Sequence, residues 1–354
     1  MIRVGLIGLG AMGRNHLRVI SELDGAHLAA VCDQDAGLLE SASHKYSVPG
    51  YRTWDEMLAA EQLDAAVVAV PTKYHSEAGL AAIAKGLHLL VEKPIASTLA
   101  EGRKLVSAAR SANVMLAVGH IERFNPAVRE LSRRLNEGEG GRTFQLQADR
   151  IGPFATRMRD VGVSVDLATH DLDVMQSLTA SPVVRLYAET EQRIHTDHED
   201  MLNALLKFEN GGVGVLQVNW LTPTKVRQLR VLGERGMFVC NYLTQDLTFF
   251  KNAEVAGRAD ADSPPRTVTE GEQVSYPIQK GEPLRLELQA FIDAVKGVSP
   301  LVIDGEAGLR ALHLALAIVE SATKARVMEK ADLDSLWTPG SQSSPAQQRS
   351  RTQR

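Results

Sequence analysis

Cysteine is nearly absent: 354 residues contain two, Cys32 and Cys240. Two thiols cannot build the framework of bridges that stabilises small secreted folds, nor can they close a zinc site alone. Each stands in an apolar run of strand-like composition, which reads as a buried thiol in a reducing compartment. Long apolar runs are missing as well. No stretch reaches the roughly 20 residues that span a bilayer, and the N-terminus lacks the basic segment and small-residue cleavage site of a secretory signal. A cytoplasmic protein without a membrane partner is expected. Positive charge is not in excess either, since 39 Lys and Arg stand against 43 Asp and Glu for a net charge of −4. That balance offers no broad basic surface to nucleic acid, so the expected partner is a small molecule.

What is present is an ordinary globular composition, 44% apolar and 23% charged. The length exceeds what one hydrophobic core usually organises, so two domains with a cleft between them are expected. Residues 2–7 read as a short apolar strand, followed at once by a helical pattern over 12–23. Buried parallel strands are expected at 27–33, 64–70, 87–92 and 114–118, with helices at 36–46, 74–85 and 99–111 between them. Such alternation implies a doubly wound α/β sheet with right-handed crossovers.

After about residue 125 the pattern changes to longer strands joined by hairpins, as in 202–208, Glu209-Asn210-Gly211-Gly212 and 213–220. The fold class expected is an N-terminal Rossmann domain (1–122) followed by a domain with a large, mostly antiparallel sheet and helices on one face (123–332). Helices at 284–296 and 305–324 would close the second domain, and the Ser-, Gln-, Arg- and Pro-rich stretch 338–354 would be a disordered tail. Residues 213–220 alternate weakly and read as apolar on both faces. A homodimer or homotetramer formed through the sheet's open face is therefore expected, unless the domain's own helices cover that face.

The first chemical motif is Gly8-Leu9-Gly10-Ala11-Met12-Gly13, placed between the first strand and the first helix. Gly8 permits a tight turn, Gly10 removes the side chain that would block a pyrophosphate, and Gly13 lets helix approach strand; the helix N-terminus then offers N–H groups to phosphates. The second strand ends in Asp33, 20 residues beyond Gly13, where a carboxylate can accept from both ribose hydroxyls. It would repel a 2′-phosphate, which favours NAD over NADP; the other role open to Asp33 is capping the helix that begins near Asp35. Further on, Glu92-Lys93-Pro94 puts a lysine at the carboxyl end of a parallel strand, the edge where ligands bind. The peptide before Pro94 is a candidate for the cis form.

The segment Val165 to Met175 reads as one helix that buries Leu167, Leu172, Val174, Met175 and Leu178. At about 100° per residue, Asp166, His170 and Asp173 share a narrow stripe on the opposite side, so Asp166 can orient the His170 ring. Asp171 falls on the apolar side. Two readings of the stripe stay open, catalysis and a solvated polar face. A metal site is disfavoured, because one histidine and carboxylates on a single helix cannot surround a transition ion without distant ligands.

Together, Gly8 to Gly13, Glu92-Lys93-Pro94 and Asp166 to His170 resemble the glucose-fructose oxidoreductase, inositol dehydrogenase and rhizopine-catabolism oxidoreductase family, over nearly the whole chain. The resemblance implies a sugar-type dehydrogenase in which Lys93, Asp166 and His170 form the catalytic set. It places Glu92 and Lys93 beside the nicotinamide, with Pro71, Thr72 and His75 bordering the cofactor. Gly119-His120-Ile121-Glu122-Arg123-Phe124-Asn125-Pro126, Arg150-Ile151-Gly152-Pro153 and the stretch from Arg159 to Val163 are similar to the UDP-N-acetylglucosamine 3-dehydrogenase branch. That likeness makes Arg123, Asn125, Arg150 and Arg159 substrate contacts beside Lys93, Asp166 and His170. Guanidinium forks suit phosphate oxygens, although ordinary ion pairing is the commoner use of arginine.

The implied chemistry is hydride transfer from a sugar carbon to NAD, with His170, polarised by Asp166, taking the hydroxyl proton and Lys93 stabilising the alkoxide; Lys93 and His170 are interchangeable in these roles. The substrate would be a nucleotide sugar, or alternatively a free sugar, an inositol or a biosynthetic keto-sugar. A non-catalytic NAD-binding regulator is a reading of another class, disfavoured because Lys93 and His170 are both present.

Overall fold

The computed structural model describes residues 1–154, 161–194, 198–253 and 270–337. Arg159 and the stretch 338–354 lie outside the described residues. The first sheet has six parallel strands, β1 (Ile2–Ile7), β2 (Ala26–Cys32), β3 (Gly50–Tyr51), β4 (Ala65–Val68), β5 (His88–Glu92) and β6 (Leu116–Gly119), in the order β3-β2-β1-β4-β5-β6. The strand order reverses between β1 and β4, which opens a crevice at their carboxyl ends. Its strands show no polar alternation because helices cover both faces: Leu6, Ala66, Val67, Leu89 and Val91 are fully buried.

The helices around it are α1 (Ala11–Glu22), α2 (Ala36–Tyr46), α3 (Trp54–Ala60), α4 (His75–Ala84) and α5 (Leu99–Ser111). Local chemistry fixes their starts. Thr53 and Thr98 each form a reciprocal capping box, with Glu56 and Glu101 respectively, and Asp35 accepts the N–H groups of Gly37 and Leu38 to cap α2.

The chain then adds α6 (Pro126–Asn136), β7 (Thr143–Pro153), α7 (Val163–Asp166), α8 (Ala168–Thr179), β8 (Val183–Glu191), β9 (Met201–Phe208), β10 (Val213–Asn219), β11 (Leu221–Gly233), β12 (Gly236–Asn241), β13 (Asp246–Asn252) and β14 (Glu270–Tyr276). It ends on α9 (Pro283–Val295), α10 (Gly305–Lys324), β15 (Met328–Glu329) and α11 (Lys330–Trp337). Strands β7 to β15 form a nine-stranded sheet, antiparallel except for the β7–β10 pair. Leu172 and Met175 of α8 and Leu314 and Ile318 of α10 bury one face against Leu146, Ala148, Leu206 and Leu216. Among the described residues, no helix is long and apolar enough to cross a membrane.

Strand β10 buries Leu216 and Val218 on one face, while its other face carries half-buried Val213 and Val215 and exposed Gln217. Three expectations are corrected. Helix α9 packs on the first sheet, with Leu284, Leu288 and Phe291 in one cluster with Val4, Leu6 and Leu90. Helix α10 spans both layers, since Leu309 and Leu312 meet Ile95 and Val118 while Leu314 and Ile318 meet the second sheet. Apolar periodicity marks a face that will be buried but not the partner that buries it. Finally, the expected helix from Val165 to Met175 is two pieces, broken at Leu167.

Candidate active site

Gly8 has φ of +100°, and a Cβ there would lie 2.6 Å from the carbonyl oxygen of Ala69. A Cβ on Gly13 would lie 2.0 Å from the Gly8 oxygen, whereas one on Gly10 would meet nothing within 4 Å. The loop is thus packed from beneath and open above. Helix α1 begins at Ala11 behind the cap residue Gly10, with no side-chain cap and no acidic residue in its first turn, so the N–H groups around Ala11 and Met12 are left for a ligand on the open side. An uncapped N-terminus of this kind fits a pyrophosphate. Asp33 accepts the backbone N–H of Leu9 at 2.6 Å and that of Asp35 at 2.8 Å, joining the strand end to the glycine loop. Helix α2 takes its cap from Asp35 instead. Pro71 is exposed and Thr72 half-buried just beyond the end of β4. His75 lies deeper, its ring between the carbonyls of Pro94 (2.8 Å) and Val70 (2.9 Å). Burial lowers its pKa, so the ring is neutral and donates one of these bonds. It ties together the segments after β4 and β5.

Lys93 stands where β5 leaves the sheet, and the Lys93–Pro94 peptide is cis. Its ammonium donates to Asp166 Oδ1 at 2.7 Å and to the Asp166 carbonyl at 2.8 Å. Beneath it, Glu92 Oε1 lies 2.7 Å from His16 Nε2, and Glu92 Oε2 accepts the Lys93 backbone N–H at 3.2 Å. Glu92 is buried; the His16 hydrogen bond and charge together with the Lys93 ammonium hold its carboxyl below the usual range against the opposing cost of burial. It ties α1 to the end of β5 beneath Lys93.

The imidazole of His170 sits half-buried beside this pair, its Nδ1 without a partner. Burial, then the positive charges of Lys93 and Arg150, push its pKa well below the ordinary value. A neutral ring is a proton acceptor. The break at Leu167 sends Asp166 to Lys93, so the expected Asp166–His170 dyad is absent. Nor is the polar stripe solvated, because Asp166 and Asp173 are buried and His170 is half-buried.

The other candidates separate. Arg150 is buried, with Nε 2.6 Å and Nη2 3.2 Å from the two oxygens of Asp171, and Nη2 is 3.0 Å from Glu122. Asp171, which the helical pattern left without a role, holds that guanidinium. Asn125 is the cap of α6, accepting the N–H of Ala127 and donating to the Tyr242 carbonyl. Arg123 donates to the Val302 carbonyl, and its Nε lies 3.6 Å from Asp173. It borders an outer hollow lined also by Arg129, Ser132 and Ser177, which includes none of Lys93, Asp166 and His170. Sequence reasoning passed over His16, Glu122, His120 and Arg227. The first two are visible only through their partners, while the position of His120 one residue beyond β6, next to Lys93 across the paired strands, was the available signal. Among the described residues, no group of three or more His, Cys, Asp or Glu is placed to hold a metal ion.

Two models of one family match the chain, "Oxidoreductase family, NAD-binding Rossmann fold" over residues 2–120 and "Oxidoreductase family, C-terminal alpha/beta domain" over residues 155–329. The chain is 28% identical over 317 residues to UDP-N-acetylglucosamine 3-dehydrogenase of Acidithiobacillus ferrooxidans, covering 90% of this chain and 96% of that one. The solved structure of that enzyme superposes with a TM-score of 0.79 at 27% identity, over 94% and 98% of the two chains. Myo-inositol 2-dehydrogenase of Thermotoga maritima is 24% identical over 92% of this chain and 97% of its own. The WlbA dehydrogenase from Bordetella pertussis, solved in complex with NADH and UDP-GlcNAcA, matches at 25% identity with a TM-score of 0.77, over 93% and 98% of the chains. With the open glycine loop, the carboxylate of Asp33 and a lysine at the sheet's carboxyl edge, these matches make the chain an NAD-binding sugar or nucleotide-sugar oxidoreductase, acting on CH–OH groups, of the GFO/IDH/MocA family.

Proposed function

We propose that the protein oxidises the 3-hydroxyl of a UDP-N-acetylhexosamine, with Lys93, Asp166 and His170 at the reacting carbon. The observation that carries this reading is the cation of Lys93, held by the Asp166 carboxylate at the sheet's carboxyl edge, beside the neutral imidazole of His170. Likeness to the Acidithiobacillus ferrooxidans enzyme over nearly both full lengths supports the substrate class.

Bound NAD supplies the hydride acceptor. His170, uncharged at neutral pH, takes the hydroxyl proton as the hydride leaves the same carbon. Lys93 donates to the oxygen as it gains negative charge, and Asp166 holds the ammonium in place from its other side. Proton transfer by a positioned base is worth about 10² to 10⁴ in rate, and a preorganised cation contributes on a similar scale. In the reducing direction the same groups serve as acids.

One observation favours a second reading, a free sugar or inositol as substrate: Arg150, one of the arginines expected to meet a diphosphate, is committed to Asp171 and Glu122. The deciding experiment follows NADH formation when the purified protein and NAD meet UDP-N-acetylglucosamine, N-acetylglucosamine and myo-inositol separately, with product analysis. Turnover of the nucleotide sugar alone supports the first reading. Turnover of only the free polyols rejects it.

A further inference from the structure

Arg227 on β11 stands directly opposite Arg150 on β7 in the antiparallel register. Opposite residues project from the same face, here the face that buries Ala148 and Leu229. Two guanidinium groups side by side repel, and among the described residues carboxylates bond only one of them directly. Arg150 has the bidentate Asp171 and the Glu122 carboxylate. Arg227 has two backbone carbonyls, those of Ile151 at 2.8 Å and Val226 at 2.9 Å, both accepting from Nη1. No carboxylate among the described residues pairs with it. A guanidinium carries five N–H donors, so the Nε and Nη2 edge keeps three of them unspent.

Burial first, and then Arg150, press its pKa down to about 10, against the opposing pull of the Asp171, Glu122 and Asp166 carboxylates. Its neighbour Arg150 is bonded to Asp171, the residue next to His170 on α8, and Arg227 and His170 feel each other's charge, which places this guanidinium near the chemistry. By contrast, Arg123 opens on the outer hollow.

We propose that Arg227 is the anion-recognition residue of the substrate pocket, its free edge taking an oxyanion carried by the sugar substrate near the reacting hydroxyl, whether a carboxylate on the ring or a phosphate of a nucleotide. A planar fork facing a pair of oxygens is the arrangement for which arginine is suited. The inference rests on the reading that a sugar is oxidised beside Lys93 and His170, and it narrows that substrate to an anionic one.

The test uses the full chain loaded with NAD and three probes, D-glucuronate, UDP and D-glucose, with binding measured by calorimetry in wild type, Arg227→Gln and Arg227→Lys. The expected result is that one of the anions binds wild type about 10-fold or more tighter than Arg227→Gln, while D-glucose does not distinguish them. Arg227→Lys should recover part of the affinity, which also shows that the loss is one of charge rather than of folding. Preference for glucuronate assigns the anion to the ring, and preference for UDP assigns it to the nucleotide. Equal affinity of both anions for wild type and Arg227→Gln, or binding of neither to wild type, overturns the proposal. Oxidation of UDP-N-acetylglucosamine by Arg227→Gln with wild-type KM, alongside unchanged anion binding, rejects it while leaving the function above intact. Anion discrimination without turnover of any UDP-sugar does the reverse.

Discussion

Glu92 joins α1 to the strand end that carries Lys93: its Oε1 lies 2.7 Å from His16 Nε2 on α1, and its Oε2 accepts the backbone N–H of Lys93 at 3.2 Å. Room for that carboxylate depends on Gly119, where a Cβ would sit 3.1 Å from Glu92 Oε2. A residue that orients another contributes through precision, and sub-ångström displacement of a reacting group is costly. We expect Glu92→Gln and His16→Phe each to lower kcat by about 10-fold or more while NAD affinity changes little. Stopped-flow rates beside NAD titrations check this; wild-type kcat in both variants would make the pair a purely structural contact.

Lys93→Met and His170→Ala are each expected to reduce kcat by at least about 10²-fold without comparable loss of NAD affinity, since both act as charge develops on oxygen. Asp166→Asn should cost less than Lys93→Met, because the Asp166 carbonyl at 2.8 Å still accepts from the ammonium. Near-normal turnover in a well-folded His170→Ala protein would transfer the proton-acceptor role to Lys93.

NAD should support turnover far better than NADP, because the Asp33 carboxylate opposes a 2′-phosphate. Asp33→Ser is expected to narrow the preference, mainly by weakening NAD, since it also removes the acceptor for the N–H groups of Leu9 and Asp35. Comparable kcat/KM with both cofactors in the wild type would reject the role given to Asp33.

Glu287 on α9 is buried with neither carboxylate oxygen bonded, and burial, with Glu92 and Asp173 nearby, holds its pKa well above the ordinary value of 4.5. Above that ordinary value the unfolded chain releases this proton while the folded chain retains it, so this group's contribution to stability falls as pH rises. Glu287→Gln removes the dependence. Thermal melts should show the variant gaining on wild type from mildly acidic to neutral pH, and a constant difference across that range would reject the buried-acid description.

The uncovered face of the nine-stranded sheet exposes Leu205, Leu232 and Phe250 to 54%, 41% and 38%. Leu205 stands opposite Val215 in register. Apolar surface of this kind needs a partner, and a homodimer or homotetramer through this face is expected. Light scattering at micromolar concentration checks it. Leu205→Glu should shift the assembly toward monomers, and a monomeric wild type would refute the expectation.

Local signals decided much. The parallel sheet was legible because strands buried on both faces read as unbroken apolar runs, and the cofactor loop because glycine spacing between strand and helix leaves few alternatives. Lys93 was legible from its place at a strand's carboxyl end. The sequence could not show that Asp166 serves Lys93 instead of His170, since that depends on a helix break at Leu167 that helical periodicity carries straight through. Nor could it show that α9 packs on the first sheet, that Asp171 and Glu122 neutralise Arg150, or that Arg227 stands opposite it with no carboxylate bonded to it among the described residues. Each of these is a pairing between residues far apart in the chain. The order of residues sets which side chains exist and which faces they share within one element; only the packing of elements decides which charges meet, because a charge acts through distance in space and not along the backbone.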